Sequence, residues 1–476
     1  MPDIWKTKPG DRVVRHPRQE EIGPVRLTVT ARKAQPRAFA SPLILIYAFA
    51  GLITIGTLLL LLPVSSEGRG AAPFVDTLFT ATSAVTVTGL VIHDTATYWT
   101  RFGQVVILGL MFVGGLGFMT IATFSLILIG HRVTLAQRLL VKESLGVDQL
   151  GGLVRLTVII VLVAAAIQVA GFMVLFIRLS FLYSPPEAIW QAVFHAVSGF
   201  NNAGFIALKE PGGFAALRNE EAIIGTIAVL VALGSISFYV MVDVVRFRRF
   251  SLFSLNTKLV VVATSGLFLL GTLVFLASEY QNPETIGALP VEEKVAVSVF
   301  ESISGRTAGF TTVDFGATRA QTNFFFTGLM FIGGASASVA GGVKVNTVAV
   351  ILVALVAVFK GRTHASAFSR EIPQAQIQRA MTIVAVAIAF VFLEIALLAS
   401  VESGFDFGDL FFEGVSAFGT VGLSSGITPL LSGWGHAILM VAMFVGRLGP
   451  LTIGLAMAQS SGTDPYRYAS ERVTIG

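Results

Sequence analysis

Eight apolar runs, near residues 43–62, 103–130, 153–178, 222–245, 259–278, 324–359, 380–401 and 434–457, alternate with polar connections along this chain. A bilayer crossing takes roughly 20 such residues as helix, so each run is long enough to span. The rest of the composition agrees. Of 476 residues 54% are hydrophobic and 13% charged, where a soluble protein carries about 25% charged residues. A water-soluble fold cannot hide that much apolar surface, so the expectation is an integral membrane protein. It is read as one polytopic bundle rather than a string of soluble domains. With no cysteine, disulfides, iron–sulfur clusters and thiolate chemistry are excluded. Residues 1–40 are polar and basic and lack the apolar core of a cleavable signal.

Between spans one and two, three and four, five and six, and seven and eight lie shorter apolar segments near 73–84, 187–199, 292–304 and 406–417. At about 12 residues each they suit re-entrant half-helices better than crossings. All four share one pattern. Phe79 to Ser83 leads to Thr86-Val87-Thr88-Gly89, and Phe194 to Ser198 leads to Asn201-Asn202-Ala203-Gly204. Phe300 to Ser304 leads to Arg306-Thr307-Ala308-Gly309, and Phe412 to Ser416 leads to Gly419-Thr420-Val421-Gly422. The third copy is one residue shorter between Phe and Gly. Four copies, each between two spans, form an internal repeat.

The repeats predict an arm at 1–40, repeats at 41–130, 153–245, 257–360 and 379–457, and a tail at 458–476. Two crossings per repeat return the chain to its starting side, so all four point the same way. Inverted-repeat carriers need an odd number of spans per repeat. The expected fold is therefore all-α, with four parallel span–pore helix–span units around a pseudo-fourfold central pore. Lys and Arg are concentrated in the arm and in the connections holding Arg132, Arg138 and Lys142, then Arg246, Arg248 and Arg249, then Lys360 and Arg362. That bias puts both termini in the cytoplasm. The short-segment side is then outside and acidic, either as a solvated rim or as a field that concentrates cations.

A cation entering a membrane must exchange its water for other oxygens, and rings of backbone carbonyls from four loops can supply them. Glycine allows backbone angles that a Cβ forbids. The C-terminal end of each short helix carries partial negative charge and favours a cation. The hydroxyls of Thr86, Thr88, Thr307 and Thr420 are expected to brace the carbonyls. Ordinary turns with packing serines are the competing reading. As a class, a secondary carrier for a small organic solute competes with a gated cation pore; the parallel repeats argue against it.

These residues resemble the Trk/Ktr/HKT superfamily of potassium transport proteins over about residues 41–476, and the turns TVTGL, FNNAGF, RTAGF and GTVGL are similar to those of the Ktr-type membrane subunit. The Tyr466-Arg467-Tyr468 to Gly476 tail also resembles Ktr-type C-termini. The resemblance implies potassium uptake, because glycine rather than serine stands at position 89, with a sodium-selective member as the alternative. It also implies sodium dependence, a homodimer with one pore per protomer, and a cytosolic nucleotide-binding (RCK-type) ring, in a bacterial cell membrane. No cofactor is expected on the chain itself; the filter carbonyls would hold potassium as cargo.

The sixth run, 324–359, is too long for one straight crossing, and its centre, Gly333-Gly334-Ala335-Ser336-Ala337-Ser338-Val339-Ala340-Gly341-Gly342, forms helix poorly. A broken helix under the turns is expected there, in place of a glycine-packed crossing. In the resembled family this position is the gate loop, with Lys344 at its end. Arg447 sits mid-span, a costly position that marks function by default. It matches the family's pore arginine; satisfaction by nearby carbonyls is its structural alternative. Glu394 is a lone acid within the seventh run. Gly334 to Lys344 is not followed by the Gly-Lys-Ser/Thr of a phosphate loop. Gly114-Gly115-Leu116-Gly117 reads as close helix packing, and the six histidines have no metal-ligand spacing. The arm reads as a topology signal that also suits anionic lipid; nucleic acid is not expected as a partner. Nothing points to an enzyme.

Overall fold

The computed structural model of the chain describes residues 43–68, 70–117, 153–210 and 212–449. The basic arm, the tail, and the later parts of the second and eighth apolar runs lie outside the described residues. What is described is helical, with one two-stranded hairpin of β1 (Ser366–Ala367) and β2 (Arg370–Glu371).

In chain order the helices are α1 (Leu43–Leu60), α2 (Phe74–Thr86), α3 (Thr95–Tyr98) and α4 (Arg101–Leu116). Then come α5 (Leu153–Leu179), α6 (Pro185–Phe200), α7 (Glu221–Ser235) and α8 (Phe238–Phe247). These are followed by α9 (Leu255–Glu279), α10 (Val291–Thr307), α11 (Ala320–Phe331) and α12 (Val345–Phe359). The last are α13 (Gln374–Val401), α14 (Phe407–Gly419) and α15 (Gly433–Leu448). Their starts follow local chemistry. Thr100, Ser237, Ser254, Asp406 and Ser432 each accept a backbone N–H of the helix they precede, which satisfies donors a helix start leaves free.

Three described helices are long and apolar enough to cross a membrane, around Thr157–Leu179, Leu255–Glu279 and Gln374–Val401. Leu45–Leu60, Arg101–Leu116, Val345–Phe359 and Gly433–Leu448 are shorter apolar helices. The run at 222–245, expected from sequence to cross, is two helices, α7 and α8, that meet at a bend of 98°. Ile236 is extended, and Ser237 caps a new helix by accepting the N–H of Tyr239 at 3.3 Å. The run at 324–359 is two helices, α11 and α12, separated by residues 332–344.

The short helices α2, α6, α10 and α14 are the most buried elements. Each packs between the two flanking helices of its own repeat. In addition α4 packs on α6, α7 on α10, α11 on α14, and α15 on α2, so each second helix touches the next repeat's short helix and the fourth closes on the first. The phenylalanine of each repeated pattern, Phe79, Phe194, Phe300 or Phe412, is fully buried. Phe79 meets His436 edge-on at 5.1 Å, Phe300 stacks on Phe214 at 5.7 Å, and Phe412 lies 5.6 Å from Phe315, each ring coming from the preceding repeat. In hydrocarbon such contacts hold by dispersion and close fit, since lipid tails are as apolar as the side chains.

Candidate functional site

The four short helices end together. In the first, second and fourth, the helix stops in a left-handed residue two before the glycine: Val87 at φ 58°, Asn202 at φ 55° and Thr420 at φ 51°. The next residue's N–H returns to the pattern serine's carbonyl, Thr88 to Ser83 and Ala203 to Ser198 at 2.8 Å, and Val421 to Ser416 at 3.0 Å. This is a left-handed C-cap with its carbonyls satisfied. The third repeat lacks one residue, and what it lacks is that cap. Thr307 is still helical, and Ala308 and Gly309 both donate to Ser304, at 2.8 and 3.2 Å.

The glycines themselves, Gly89 (φ 91°), Gly204 (φ 69°), Gly309 (φ 69°) and Gly422 (φ 91°), all occupy left-handed backbone. A Cβ at Gly89 would stand 2.4 Å from the Ala203 carbonyl oxygen, and one at Gly204 2.5 Å from that of Ala308. At Gly309 it would stand 2.4 Å from the Val421 oxygen, and at Gly422 2.1 Å from the Thr88 oxygen. Each of these oxygens belongs to the residue before the next turn's glycine, and the series returns to its start. Four carbonyls and four glycines therefore form a closed relay. Glycine is required there for both conformation and space.

Beneath the fourth turn runs the segment 332–344. A Cβ at Gly341 would stand 2.1 Å from the Thr420 hydroxyl, and Gly342 lies against Gly419. The segment is held mainly by other elements. Ala335 donates to the Ser235 carbonyl at 2.9 Å and Val339 to that of Gly234 at 3.2 Å, while Phe238 donates to Ala337 at 3.3 Å and Gly342 to Gly446 at 3.3 Å. Gly333 donates to Val343 at 2.9 Å and closes its base. Ser336 donates its N–H to Asn346 at 2.9 Å, and the buried Ser338 hydroxyl has no partner among the described residues. Gly334 fits against Ala340 and the Ser235 carbonyl, where a Cβ would come to 2.7 Å of each. Lys344 precedes α12 and donates its ammonium to the Ala340 carbonyl. Arg447, in the last turn of α15, donates to the carbonyls of Val339, Gly114 and Gly115, the last at 2.9 Å. One guanidinium thus ties the segment to the end of α4.

The TrkH family profile, described as "Cation transport protein", matches residues 22–464. The chain belongs to the TrkH family of cation transport proteins. Among its relatives is the Ktr system potassium uptake protein B of Bacillus subtilis, 39% identical over 438 residues that cover 92% of this chain and 97% of that one. The protein of that name from Vibrio alginolyticus is 36% identical, covering 91% and 95%. The potassium/sodium uptake protein NtpJ of Enterococcus hirae is 34% identical, covering 94% and 100%. In fold, the chain matches the crystal structure of the potassium transporter TrkH from Vibrio parahaemolyticus at a TM-score of 0.67 and 17% identity, over 89% of this chain and 85% of that one.

Some residues in this TrkH-family chain do other work than the sequence suggested. The threonine hydroxyls are not the braces. Thr86 donates to the Thr82 carbonyl at 2.7 Å and lies 2.8 Å from the Thr88 hydroxyl; Thr307 meets Asn202 at 2.9 Å; Thr420 has no hydroxyl partner among the described residues. Three of the four pattern serines brace instead. Ser83 accepts the N–H of Gly89 at 3.0 Å, Ser416 that of Gly422 at 3.2 Å, and Ser198 donates to the Phe205 carbonyl at 2.9 Å. Arg306 is a helical residue of α10, buried, with its guanidinium 4.8 Å from the Phe268 ring centroid and unbonded among the described residues. Asn201, with its amide donating to Val197 at 2.9 Å, caps α6.

Two buried acids escaped the sequence reading. Glu301 and Glu413 follow the pattern phenylalanines and are fully buried. Glu301 accepts the N–H and hydroxyl of Thr312 at 2.7 and 2.8 Å. Glu413 accepts from the hydroxyls of Ser424 and Thr428 at 2.5 and 2.7 Å and from Ser425 N–H at 3.0 Å. Each holds the extended segment that follows its glycine turn. The signal was present as Phe-Glu in two of the four copies. Glu394, noted earlier, is buried against Gly414 with neither oxygen bonded among the described residues.

Proposed function

We propose that this chain takes up potassium through a central pore between its four glycine turns, built from four parallel span–re-entrant helix–span repeats. The observation that carries the reading is the closed relay of Thr88, Ala203, Ala308 and Val421 carbonyls against the four glycines. Backbone oxygens so gathered can replace the water around a dehydrated cation, and the converging helix ends add negative potential. Each turn has a single fitted carbonyl tier, which favours modest selectivity. Potassium is the cargo, and no resident cofactor is invoked.

The segment 332–344 is the gate in this reading, with Arg447 as its latch. The arginine's charge opposes a cation in the path below the turns, and its carbonyl bonds keep the loop there. Loop movement requires giving up bonds to α7, α8 and α15, not unfolding α11 or α12. The turns face outward and both termini lie in the cytoplasm of a bacterial cell, following the Lys and Arg bias. A homodimer, sodium dependence and control by a cytosolic nucleotide-binding ring complete the proposal; that two relatives are named as protein B of a Ktr system fits a chain that works with a further subunit. The relative named for potassium and sodium supports a second reading, in which sodium is also carried.

The test is ion flux into liposomes holding the purified chain, native against Gly89→Ser. Native flux should prefer potassium, and Gly89→Ser should admit sodium, because a side chain there displaces the Ala203 carbonyl. Sodium-preferring native flux would favour the second reading. Absence of cation flux from folded protein, with and without the cytosolic ring, would overturn both.

A further inference from the structure

The bend after α7 sets a second surface. Helix α8 turns 98° from α7 and is pinned to the start of α9, where Asp243 accepts the Ser254 N–H at 3.0 Å and the Thr257 hydroxyl at 2.6 Å. At 25 residues α9 is about 37 Å long, enough to cross the roughly 30 Å hydrocarbon core from interface to interface. Its beginning therefore lies near a membrane surface, with the adjoining part of α8, and the bend carries α8 across the direction of α7. The first turn of α8 is packed inward through Phe238 and Val240. Its later part exposes Val242, Val244, Val245 and Phe247, continued by Phe250 and Leu252. Arg246, Arg248 and Arg249 stand at its end, exposed, and none forms an ion pair among the described residues.

We propose that α8 is an interfacial helix that sinks its exposed apolar face into the cytoplasmic leaflet, binds anionic phospholipid headgroups through Arg246, Arg248 and Arg249, and transmits that attachment to the loop 332–344. An apolar face flanked by aromatic and arginine side chains is the composition of in-plane membrane helices, and an anionic leaflet attracts such arginines. Transmission runs through backbone. Phe238, the first residue of α8, donates to Ala337, while Gly234 and Ser235 accept from Val339 and Ala335. Val240 also packs in one cluster with Ala335 and Val345. A shift of α8 against the membrane plane thus acts directly on one of the loop's hydrogen bonds, and on two more through the adjoining end of α7. The leaflet assignment and the coupling rest on the function proposed above; the surface position of α8 does not.

The native chain has no cysteine, so Val245→Cys places a single fluorophore on the most exposed apolar side chain of α8, at 72% exposure. In phosphatidylcholine–phosphatidylglycerol vesicles, lipids brominated on their acyl chains should quench it more than iodide in the water does. Dominant iodide quenching overturns the proposal. So does shielding that appears only when a cytosolic protein is added, which would make α8 a protein-docking face. Headgroup recognition is read with spin-labelled lipids: phosphatidylglycerol should quench about fivefold more than phosphatidylcholine, and Arg246→Gln with Arg248→Gln and Arg249→Gln should erase the difference. Equal quenching in the native arginine background overturns it. Neither readout needs transport, so both stand if the pore reading falls. Coupling is read as potassium flux in anionic over neutral vesicles, expected to depart from unity about threefold in the native chain and to return to unity in the triple variant. A native ratio of one, with the quenching as expected, overturns the coupling.

Discussion

In the first, second and fourth repeats the short helix ends in a left-handed cap, and a glycine of the second helix lies against that short helix's own carbonyl. A Cβ would come within 2.0 Å of Val85 O at Gly114, 1.9 Å of Phe200 O at Gly234 and 1.8 Å of Phe418 O at Gly446. The third repeat has neither feature. Its turn is one residue short, its Ser304 hydroxyl is unbonded among the described residues, and its aligned glycine, Gly333, packs on Gly341 of its own loop. Three repeats therefore build a frame from local bonds. The third gives up those bonds and hosts a segment that the frame holds from outside. A closed ring of near-equal parts needs only one unequal member to acquire a movable element.

The comparison breaks most visibly at the frame. Gly422→Ala adds a Cβ 2.1 Å from the Thr88 oxygen at a φ of 91°, combining a clash with strain of about 1–3 kcal/mol. Potassium flux should fall more than about tenfold. Gly225→Ala, where nothing lies within 4 Å of the new atom, is the matched control and should leave flux unchanged. Equal losses in the two would mean that the relay is not special.

Next in size is the arginine of α15. Arg447→Ala removes donors from Val339, Gly114 and Gly115, and bonds to a charged group contribute about 1.5–3 kcal/mol. With the charge also gone from the path, potassium flux in liposomes should rise about three- to tenfold. Unchanged flux at unchanged thermal stability would leave Arg447 a structural tie between α15, α4 and the loop.

A smaller effect separates the two acids. Glu413 accepts from three residues and Glu301 from one. Gln keeps one acceptor oxygen and places an amide among the remaining donors. Glu413→Gln should lower the melting temperature in detergent by a few degrees, and Glu301→Gln by less. The reverse order would show that the unbonded Glu301 oxygen has a partner more valuable than the serine and threonine around Glu413.

How far the sequence reaches follows from which interactions are periodic. The four Phe-to-Gly patterns were legible because each repeat must place the same ring and the same left-handed glycine, and the missing residue of the third copy was visible as a count. What that residue did was not visible, since a cap is a backbone conformation with no residue type of its own: Val87, Asn202 and Thr420 share nothing but φ. The serine braces were in the pattern, yet the threonines drew attention because hydroxyls beside a glycine turn look like braces. The bend at Ile236 was hidden inside a continuous apolar run, marked only by Ser235 and Ser237. Arg447 was conspicuous by depth, but its carbonyl partners come from segments more than a hundred residues away.

The finest test concerns strain within the loop. Ala337 sits at φ 59°, a left-handed conformation that costs a residue with a Cβ roughly 1–2 kcal/mol. It is also the residue whose carbonyl accepts from Phe238 at 3.3 Å. If the loop relaxes to an ordinary conformation when it moves, that strain favours movement. Ala337→Gly then removes the incentive and should lower potassium flux about two- to fivefold, without the selectivity change expected at the turns. If Ala337 keeps its φ in both positions, the strain cancels and flux stays the same. The loop would then swing as a rigid piece about its ends, near Ile332 and Val343, and the third repeat would differ from the others by a hinge rather than by a spring.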